Sequence, residues 1–270
     1  MGGPTSTRSD IVTVEREGEI AHVRLDRPDK LNSLTLDTLA ALKLTAEGLA
    51  ADRTVRGILL SGEGRSFCAG LDFATVGADP DGIARAFAAD PETGANLFQE
   101  ACWAWRRVLV PVVAAVHGHC LGGGLQLALA ADFRFTTPDA EWSALEIKWG
   151  LIPDMSGIQS LSQQVGLDVA KRLAMTGELI SGTQAHALGL ATEVTDDPQA
   201  AGMALLRQIA TRSPDAVAAV KRVFQDTWWS PDAVVFERER VEQEPLLTAA
   251  NTAIAHRRAA GEQVEYRVRR

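Results

Sequence analysis

The chain has 270 residues, of which 46% are hydrophobic and 23% are charged, and its formal net charge at pH 7 is −8. This length allows one large domain, or one domain with an additional lobe, and no internal repeat is visible. The acidic balance argues against nucleic acid as a partner, because a phosphate backbone requires a basic face. A small anionic ligand remains possible, since it needs only a local cluster of cations.

The three cysteines, Cys68, Cys102 and Cys120, are odd in number and form no Cys-x-x-Cys pair. Together with a polar N-terminal segment that does not resemble a signal peptide, they favour a reducing compartment, and we predict a cytoplasmic protein. The uncharged run 108–131 has the length of a membrane span, but Pro111, two histidines and three glycines interrupt it. We therefore predict a buried strand, turn and helix there, and no membrane span.

The N-terminal half alternates short strands with helices. Residues 11–15 and 21–25 are typical of a β-hairpin, and residues 57–61 of a short buried strand. Leucines recur at helical spacing after Thr35, which is a suitable N-cap. Residues 74–96 show weak periodicity, so we predict a partly mobile loop with a short helix, lying over a site.

Helices dominate the second half. Residues 99–108 are predicted to be helical, with Trp103 and Trp105 packing in the core. Further predictions are a strand at 133–136, a short amphipathic element at 141–150, one or two helices over 158–175, a final short strand before 195, and helices at 198–212, 214–229, 231–245 and 248–260. This change predicts two domains, residues 1–197 and residues 198–270.

The most informative stretch runs from residue 111 to residue 132. Residues 111–116 form an apolar, β-branched run typical of a buried strand, and residues 117–121 indicate a turn. Gly122, Gly123 and Gly124 then precede a Leu- and Ala-rich helical segment, although glycine is a poor helix former. Either the glycines expose backbone N–H groups to a ligand as half of an oxyanion hole, or they permit tight helix–strand packing.

A second glycine-bearing turn, at Gly70, also follows a predicted strand. Two such turns in one chain suggest two backbone donors that converge on one oxygen. This pairing favours the oxyanion interpretation over either turn taken alone.

Other catalytic motifs are missing. The sequence contains no G-x-S-x-G nucleophile turn, no Walker motif and no G-x-G-x-x-G fingerprint. His117 and His119 have no acidic partner at ligand spacing, so we expect no metal site.

The remaining candidates are carboxylates. Glu146 lies between Leu145 and Ile147 in an apolar part of the sequence, where burial would raise its pKa and allow proton exchange near neutrality. Asp154 follows after a Gly–Pro break that could fold it back toward Glu146. The structural alternatives are a surface helix position for Glu146 and a turn residue for Asp154.

Several ordered motifs carry a family resemblance. FCAGLDF at 67–73, AAVHGHCLGGGLQLALAAD at 114–132 and ALEIKWGLIPDMSG at 144–157 resemble the crotonase, or enoyl-CoA hydratase/isomerase, superfamily, as do RPDKLNSL at 27–34 and AHALGLATEV at 185–194. The similarity covers roughly residues 11–250. It implies an α/β fold with a β-β-α spiral core and a helical C-terminal lobe, assembled as a homotrimer or as a hexamer made of two trimers.

The resemblance also implies a site for an acyl-CoA thioester. By position, the N–H groups of Leu71 and Gly123 would bind the thioester oxygen and stabilise an enolate. Coenzyme A would be part of the substrate, and no separate cofactor is implied. The residues expected along the substrate and coenzyme A path are Lys30, Leu31, Ala69, Leu71, Asp72, Phe73, Ala74, Gly122 and Gly123.

One departure from the family pattern bears on the reaction. Hydratases of the family use two glutamates, and here these positions hold Glu146 and Gln126, which cannot exchange a proton but can hold a water or an intermediate. The Glu146–Asp154 pair instead resembles dienoyl-CoA isomerases, although those usually have Asp at position 126. We therefore predict an acyl-CoA double-bond isomerase. The alternatives are a hydratase of low activity and a non-catalytic acyl-CoA binding protein.

Overall fold

The strands form two sheets in the computed structural model, which describes the backbone of residues 7–9 and all of residues 11–270. The strands are β1 (Thr7–Ser9), β2 (Val12–Glu17), β3 (Ile20–Leu25), β4 (Gly57–Gly62), β5 (Val112–Val116), β6 (His119–Leu121), β7 (Phe133–Thr136), β8 (Glu141–Ser143), β9 (Ile180–Ser181) and β10 (Glu193–Val194). The larger sheet has the order β1-β2-β3-β4-β5-β7-β10, and the smaller sheet has the order β6-β8-β9.

Helices follow most of these strands. They are α1 (Leu36–Ala51), α2 (Phe73–Val76), α3 (Pro80–Phe87), α4 (Leu97–Arg107), α5 (Gly123–Ala130), α6 (Gly157–Gln164), α7 (Leu167–Thr176), α8 (Gly182–Ala187), α9 (Pro198–Ala210), α10 (Pro214–Thr227), α11 (Asp232–Leu247) and α12 (Ala250–Ala259). Two 3-10 turns, Pro28–Lys30 and Leu145–Trp149, connect elements near the site.

The larger sheet changes from antiparallel to parallel pairing along its width. β1, β2 and β3 pair antiparallel, whereas β3, β4, β5, β7 and β10 pair parallel. Every residue of β4 and β5 is buried. A parallel strand that is covered on both faces needs apolar side chains on both, which explains the uninterrupted apolar runs in the sequence.

Helices cover both faces of the larger sheet. Because side chains alternate along a strand, Leu60 joins the main core with α1, α4 and α5, while Leu59 joins a smaller core on the opposite face. Leu206 of α9 closes that second core. α9 therefore packs on the same sheet as the preceding chain, and the division into two domains at residue 197 stays a prediction.

The predicted hairpin, the helix after Thr35, the buried strands and the four C-terminal helices are confirmed. The Thr35 side chain accepts a hydrogen bond from the Thr38 N–H at 3.2 Å, as an N-cap should. Trp105 is completely buried, but Trp103 is only half-buried, and one face of its ring is covered by the Arg106 guanidinium, 4.5 Å from the ring centre. The prediction that these residues pack in the core is therefore confirmed for Trp105 and wrong for Trp103.

Three local predictions need correction. Residues 117–121 contain a strand, β6, which pairs with β8 rather than forming only a turn. Residues 141–150 divide into β8 and a 3-10 turn, and residues 74–96 contain most of α2 and all of α3 rather than one short helix. Elements of three to eight residues are too short to show a periodic pattern, so their identity depends on the partner they meet.

The C-terminal helices are anchored to the sheet region by a buried cation. The Lys221 ammonium on α10 donates to Asp132 Oδ2 at 2.7 Å and to the Val110 carbonyl at 3.0 Å. Burial lowers the pKa of Lys221, and the adjacent Asp132 carboxylate opposes that shift. Among the described residues, no helix is long and apolar enough to cross a membrane.

Candidate active site

The two glycine-bearing turns lie against each other. The Leu121 N–H donates to the Cys68 carbonyl at 3.0 Å, and the Cys68 N–H donates to the His119 carbonyl at 2.8 Å. A Cβ atom on Gly70 would lie 3.5 Å from the Gly123 nitrogen. The backbone after Gly70 and the first turn of α5 are therefore adjacent.

Glycine is required in both turns for two physical reasons. Gly70 and Gly122 have φ angles of +91° and +52°, which residues other than glycine rarely adopt. A Cβ atom on Gly124 would lie 2.3 Å from the Cys68 carbonyl oxygen, which is too close for two atoms that are not bonded. The tight-packing interpretation is thus correct for Gly124, and it is compatible with exposed donors on its neighbours.

Leu71 and Gly123 supply the two candidate donors. Within residues 11–270, neither backbone N–H donates a hydrogen bond to a protein acceptor. Both residues line one cavity of about 690 Å³. The Gly123 N–H lies at the N-terminus of α5, where the helix dipole favours negative charge. The arrangement can accept an oxyanion.

The Glu146 carboxylate lies next to Gly122, in the same cavity. Only 8% of its surface is exposed, and a Cβ atom on Gly122 would lie 3.1 Å from Glu146 Oε1. Oε1 accepts a hydrogen bond from Gln126 Nε2 at 2.6 Å, while the buried Oε2 has no protein partner within the described chain. Burial raises the pKa of Glu146 and the Asp154 charge adds to this, while hydrogen bonds from its own backbone and from Gln126 oppose it.

Gln126 is held on both sides of its amide. Its Oε1 accepts the Gly157 N–H at 2.9 Å, so its Nε2 is the atom that faces Glu146. The approach is possible because residue 157 is glycine: a Cβ there would lie 2.5 Å from Gln126 Oε1. Since an amide nitrogen carries two hydrogens, one N–H of Gln126 is not used by Glu146.

Asp154 is half-buried and lines the same cavity as Glu146. The 3-10 turn ends at Gly150, whose φ angle is +72°, and the chain then reverses to bring Asp154 back. Burial raises the pKa of Asp154, and a hydrogen bond from its own backbone opposes this shift. The structure thus brings together the two carboxylates that the sequence singled out.

The residues expected along the coenzyme A path divide into two groups. The cavity lining contains Ala69, Leu71, Phe73, Gly122 and Gly123. Lys30, Leu31, Asp72 and Ala74 are not part of this lining. The Leu31 carbonyl accepts the Ala69 N–H at 2.9 Å, so the Lys30–Leu31 turn lies beside the cavity.

The basic residues near this turn are mostly paired. Arg24 binds Glu15 at 2.7 Å and Glu63 at 3.1 Å. Arg27 binds Asp72 at 3.2 Å, which also caps α2. In residues 11–270, the exposed Lys30 ammonium has no ion pair. Lys30 is therefore the cation of this cluster that is most available to a phosphate.

The C-terminal arginines bind elsewhere. Arg269 donates to the Ala50 carbonyl at the C-terminal end of α1, and the Arg270 backbone N–H donates to Asp215. At 1.5 Å per residue, Ala50 lies roughly 21 Å along α1 from Leu36, the end near the site. These arginines hold the tail against α1 and α10.

Sequence reasoning missed a buried residue, Asn32, that holds the segment between β4 and the Gly70 turn. The Asn32 side chain accepts the Arg27 N–H and donates to the carbonyls of Glu63 and Ser66. Its φ angle is +56°, a conformation that asparagine tolerates better than most residues. Asn32 belongs to the RPDKLNSL motif at 27–34, which indicated the family but not the contacts of this side chain.

Comparison with known proteins assigns the family. A family model described as enoyl-CoA hydratase/isomerase matches residues 15–252, and the chain belongs to this family. The chain is 30% identical to (E)-benzylidenesuccinyl-CoA hydratase from Thauera aromatica over 78% of this chain and 80% of that protein. It is also 30% identical to the peroxisomal Delta(3,5)-Delta(2,4)-dienoyl-CoA isomerase of Arabidopsis thaliana, over 79% of this chain and 80% of that protein.

Solved structures agree with this assignment. The crystal structure of an enoyl-CoA hydratase from Mycobacterium tuberculosis H37Rv superposes with a TM-score of 0.82 at 28% identity, covering 96% of this chain and 99% of that chain. The predicted α/β class and crotonase-type fold are therefore confirmed. The family contains hydratases and isomerases, and an acyl-CoA thioester is the class of substrate that fits it.

Proposed function

We propose that the chain is an acyl-CoA double-bond isomerase acting on enoyl-CoA or dienoyl-CoA thioesters in fatty acid metabolism. The observation that carries this proposal is the asymmetry of the two positions at which family hydratases use glutamate. Glu146 has a buried carboxylate with one unbonded oxygen, whereas Gln126 has an amide bound to Glu146 and to Gly157.

The first step of the proposed mechanism is polarisation of the thioester. Its carbonyl oxygen accepts hydrogen bonds from the Leu71 and Gly123 N–H groups, which have no competing protein acceptor in the described chain. Negative charge grows on this oxygen as an enolate forms, and the N-terminus of α5 stabilises it. The α or γ carbon of the acyl chain becomes acidic enough to lose a proton.

The second step is proton transfer between carbons. Glu146 Oε2 removes the proton, and the electron pair of the broken C–H bond moves into the acyl chain so that the double bond shifts. The pair is held on the thioester oxygen as a dienolate, and it returns to carbon when a different carbon of the chain is protonated and the thioester carbonyl re-forms. That proton comes either from Glu146, which thereby regains its carboxylate, or from an Asp154 that starts protonated, in which case the proton on Glu146 passes back to Asp154 before the next turnover. No water is added, and no oxidant or reductant is needed.

A hydratase of low activity is the second candidate. It is supported by the hydratases among the relatives and by the N–H of Gln126 that Glu146 does not use, which can hold a water. A non-catalytic acyl-CoA binding protein is the third, because Gln126 removes one reactive group.

Isotope exchange tests the proposal. With a 3-enoyl-CoA in heavy water, the wild type is expected to form the 2-enoyl isomer and incorporate deuterium at the α or γ carbon, and Glu146→Gln is expected to lose both. Rapid formation of 3-hydroxyacyl-CoA from a 2-enoyl-CoA that survives Glu146→Gln would reject the assigned roles. Tight binding without deuterium exchange at any chain length would favour the binding protein.

A further inference from the structure

The walls of the cavity beyond the two carboxylates are built from aromatic and aliphatic side chains. Phe73 of α2 packs against Trp149 of the 3-10 turn with ring centres 4.9 Å apart. Phe87 of α3 packs against Phe98 of α4 at 4.8 Å. These four residues all line the cavity, so two aromatic pairs form its walls.

The polar side chains of the lining are concentrated at the proposed reaction centre. In the described chain, Gln126, Glu146 and Asp154 are the lining side chains with carboxylate or amide groups, and the Trp149 indole N–H is the other polar group. Lysine, arginine and histidine are absent from this lining. An acyl group ending in a carboxylate would therefore lie against apolar side chains and find no cationic partner in the lining.

The size of the cavity bears on the length of the acyl group. Its volume is about 690 Å³, which lies in the middle of the range of about 300–1,000 Å³ found for small-molecule sites. A four-carbon acyl group would fill a small part of this space. Most of the apolar wall would then remain in contact with water, which is unfavourable.

Part of this wall is exposed in the free chain. Phe87, Trp149 and Ile152 are 52%, 61% and 64% exposed, and all three line the cavity. A long or aromatic acyl group would cover these side chains, whereas a short one would not reach all of them. Removing such apolar surface from water favours binding in proportion to the area buried.

We propose that this site selects acyl-CoA thioesters whose acyl group is uncharged, apolar and of about eight carbon atoms or more, because a shorter group would leave most of the aromatic wall uncovered. Val76, Ile83 and Phe87 of the α2–α3 segment determine this preference. The inference rests on the proposed function, because it takes the cavity between the N–H pair and the carboxylates as the acyl site.

Binding of saturated acyl-CoAs by calorimetry tests the inference without turnover. The probes are butanoyl-CoA, octanoyl-CoA, decanoyl-CoA, 3-phenylpropanoyl-CoA and the mono-CoA ester of decanedioic acid. We expect affinity to rise about twofold to fourfold for each added methylene. Decanedioyl-CoA should bind at least about tenfold more weakly than decanoyl-CoA, because its terminal carboxylate has no partner.

Two variants of the full chain localise the effect. Phe87→Ala should weaken decanoyl-CoA binding about tenfold and change butanoyl-CoA binding less than about twofold, since only the longer chain reaches α3. Leu44→Ala is the matched control, because Leu44 is an exposed apolar residue of α1 outside the cavity lining, and it should change neither affinity.

The outcomes separate the two proposals. Equal affinity for butanoyl-CoA and decanoyl-CoA, or for decanoyl-CoA and decanedioyl-CoA, would overturn the inference whatever the activity. Length-dependent binding without isomerisation would support the inference and reject the isomerase. Tighter binding of 3-phenylpropanoyl-CoA than of octanoyl-CoA would identify an aromatic acyl group, and the reverse would identify a straight chain.

Discussion

The burial of Glu146 has a different origin from the one its sequence neighbours indicate. The sequence places it among Leu145, Ile147 and Trp149, yet Ile147 and Trp149 are exposed in the structure. Burial comes instead from the start of α5, where Gly122 and Gln126 approach the carboxylate. The pKa of Glu146 is raised, as the sequence predicts, but the groups that desolvate the carboxylate lie about twenty residues earlier in the chain.

Replacing Glu146 with glutamine should abolish activity while preserving the fold. Loss of the proton-transferring carboxylate should lower kcat by about 10²-fold to 10⁴-fold. Because burial raises its pKa, the wild-type kcat should fall as the pH decreases through a value above the ordinary carboxylate range. Steady-state kinetics across pH measures both effects, and a profile that follows an unshifted glutamate would contradict this assignment.

The same pKa shift has a consequence for stability with a definite sign. A group whose pKa is raised on folding stabilises the fold below its unfolded pKa, and that contribution is lost as the pH rises through the folded pKa. The free energy of unfolding of Glu146→Gln should therefore rise relative to that of the wild type as the pH is raised from about 5 to about 8. Urea unfolding at both pH values checks this. A variant whose stability relative to the wild type falls as the pH rises would be inconsistent with a desolvated carboxylate.

Gln126→Glu should restore the two-glutamate arrangement of family hydratases. We expect hydration of 2-enoyl-CoA to increase at least about tenfold, since each acid–base group contributes on this scale or more. Two carboxylates at the present 2.6 Å separation would repel each other, so the variant should be less stable at neutral pH and recover as the pH falls. Product analysis and unfolding across pH test this, with Gln126→Ala as the control that removes the amide without adding a charge.

The short elements around the site owe their positions to contacts between distant segments. β6 and the Gly70 turn meet through backbone hydrogen bonds between residues about fifty apart in sequence. α2 and α3 acquire their role by forming part of the cavity wall against α4 and the 3-10 turn. Strong local patterns, such as the leucines of α1, predicted elements correctly, whereas segments of three to eight residues depended on their partners.

Gly124→Ala tests the packing of the two turns. The added Cβ would lie 2.3 Å from the Cys68 carbonyl, so α5 and the Gly70 turn must separate. We expect a loss of about 1–3 kcal/mol in the free energy of unfolding and weaker acyl-CoA binding. Denaturant unfolding and calorimetry measure the two effects.

Gly48→Ala is the matched control for this substitution. Gly48 lies inside α1, and a Cβ there would meet no atom within 4 Å. This change should be neutral or stabilise the fold by about 0.5–1 kcal/mol, because alanine favours helix more than glycine does. Equal effects of the two substitutions would argue against close packing of the turns.

The surface of the C-terminal helices suggests that the chain functions as an assembly. No residue of α11 is buried in the described chain, although it is a helix of sixteen residues. Phe224 of α10, Trp228 directly after α10 and Phe236 of α11 are large exposed apolar side chains. Phe224 and Trp228 lie together, with ring centres 6.0 Å apart, and large apolar side chains exposed in this way are typical of an interface between subunits.

We predict a homotrimer or a hexamer of two trimers, with this surface at the interface. Light scattering after size exclusion should give three or six times the mass of one chain. Phe236→Glu should lower that mass by placing a charge in the interface, whereas Leu44→Glu, at a site on α1 that is at least as exposed, should not. A monomeric wild type at micromolar concentration would rule the prediction out.

What can be inferred from the sequence is the family, the α/β class, the two glycine-bearing turns and the chemical difference between Glu146 and Gln126. Those features depend on residue type and short-range pattern, which one sequence displays directly. Only the tertiary structure decided that Gln126 binds both Glu146 and Gly157, that Arg27 is neutralised by Asp72, and that α2 and α3 form an apolar wall. These contacts join residues from twenty to seventy-six positions apart, and close packing of the folded chain, not local propensity, sets which side chains meet.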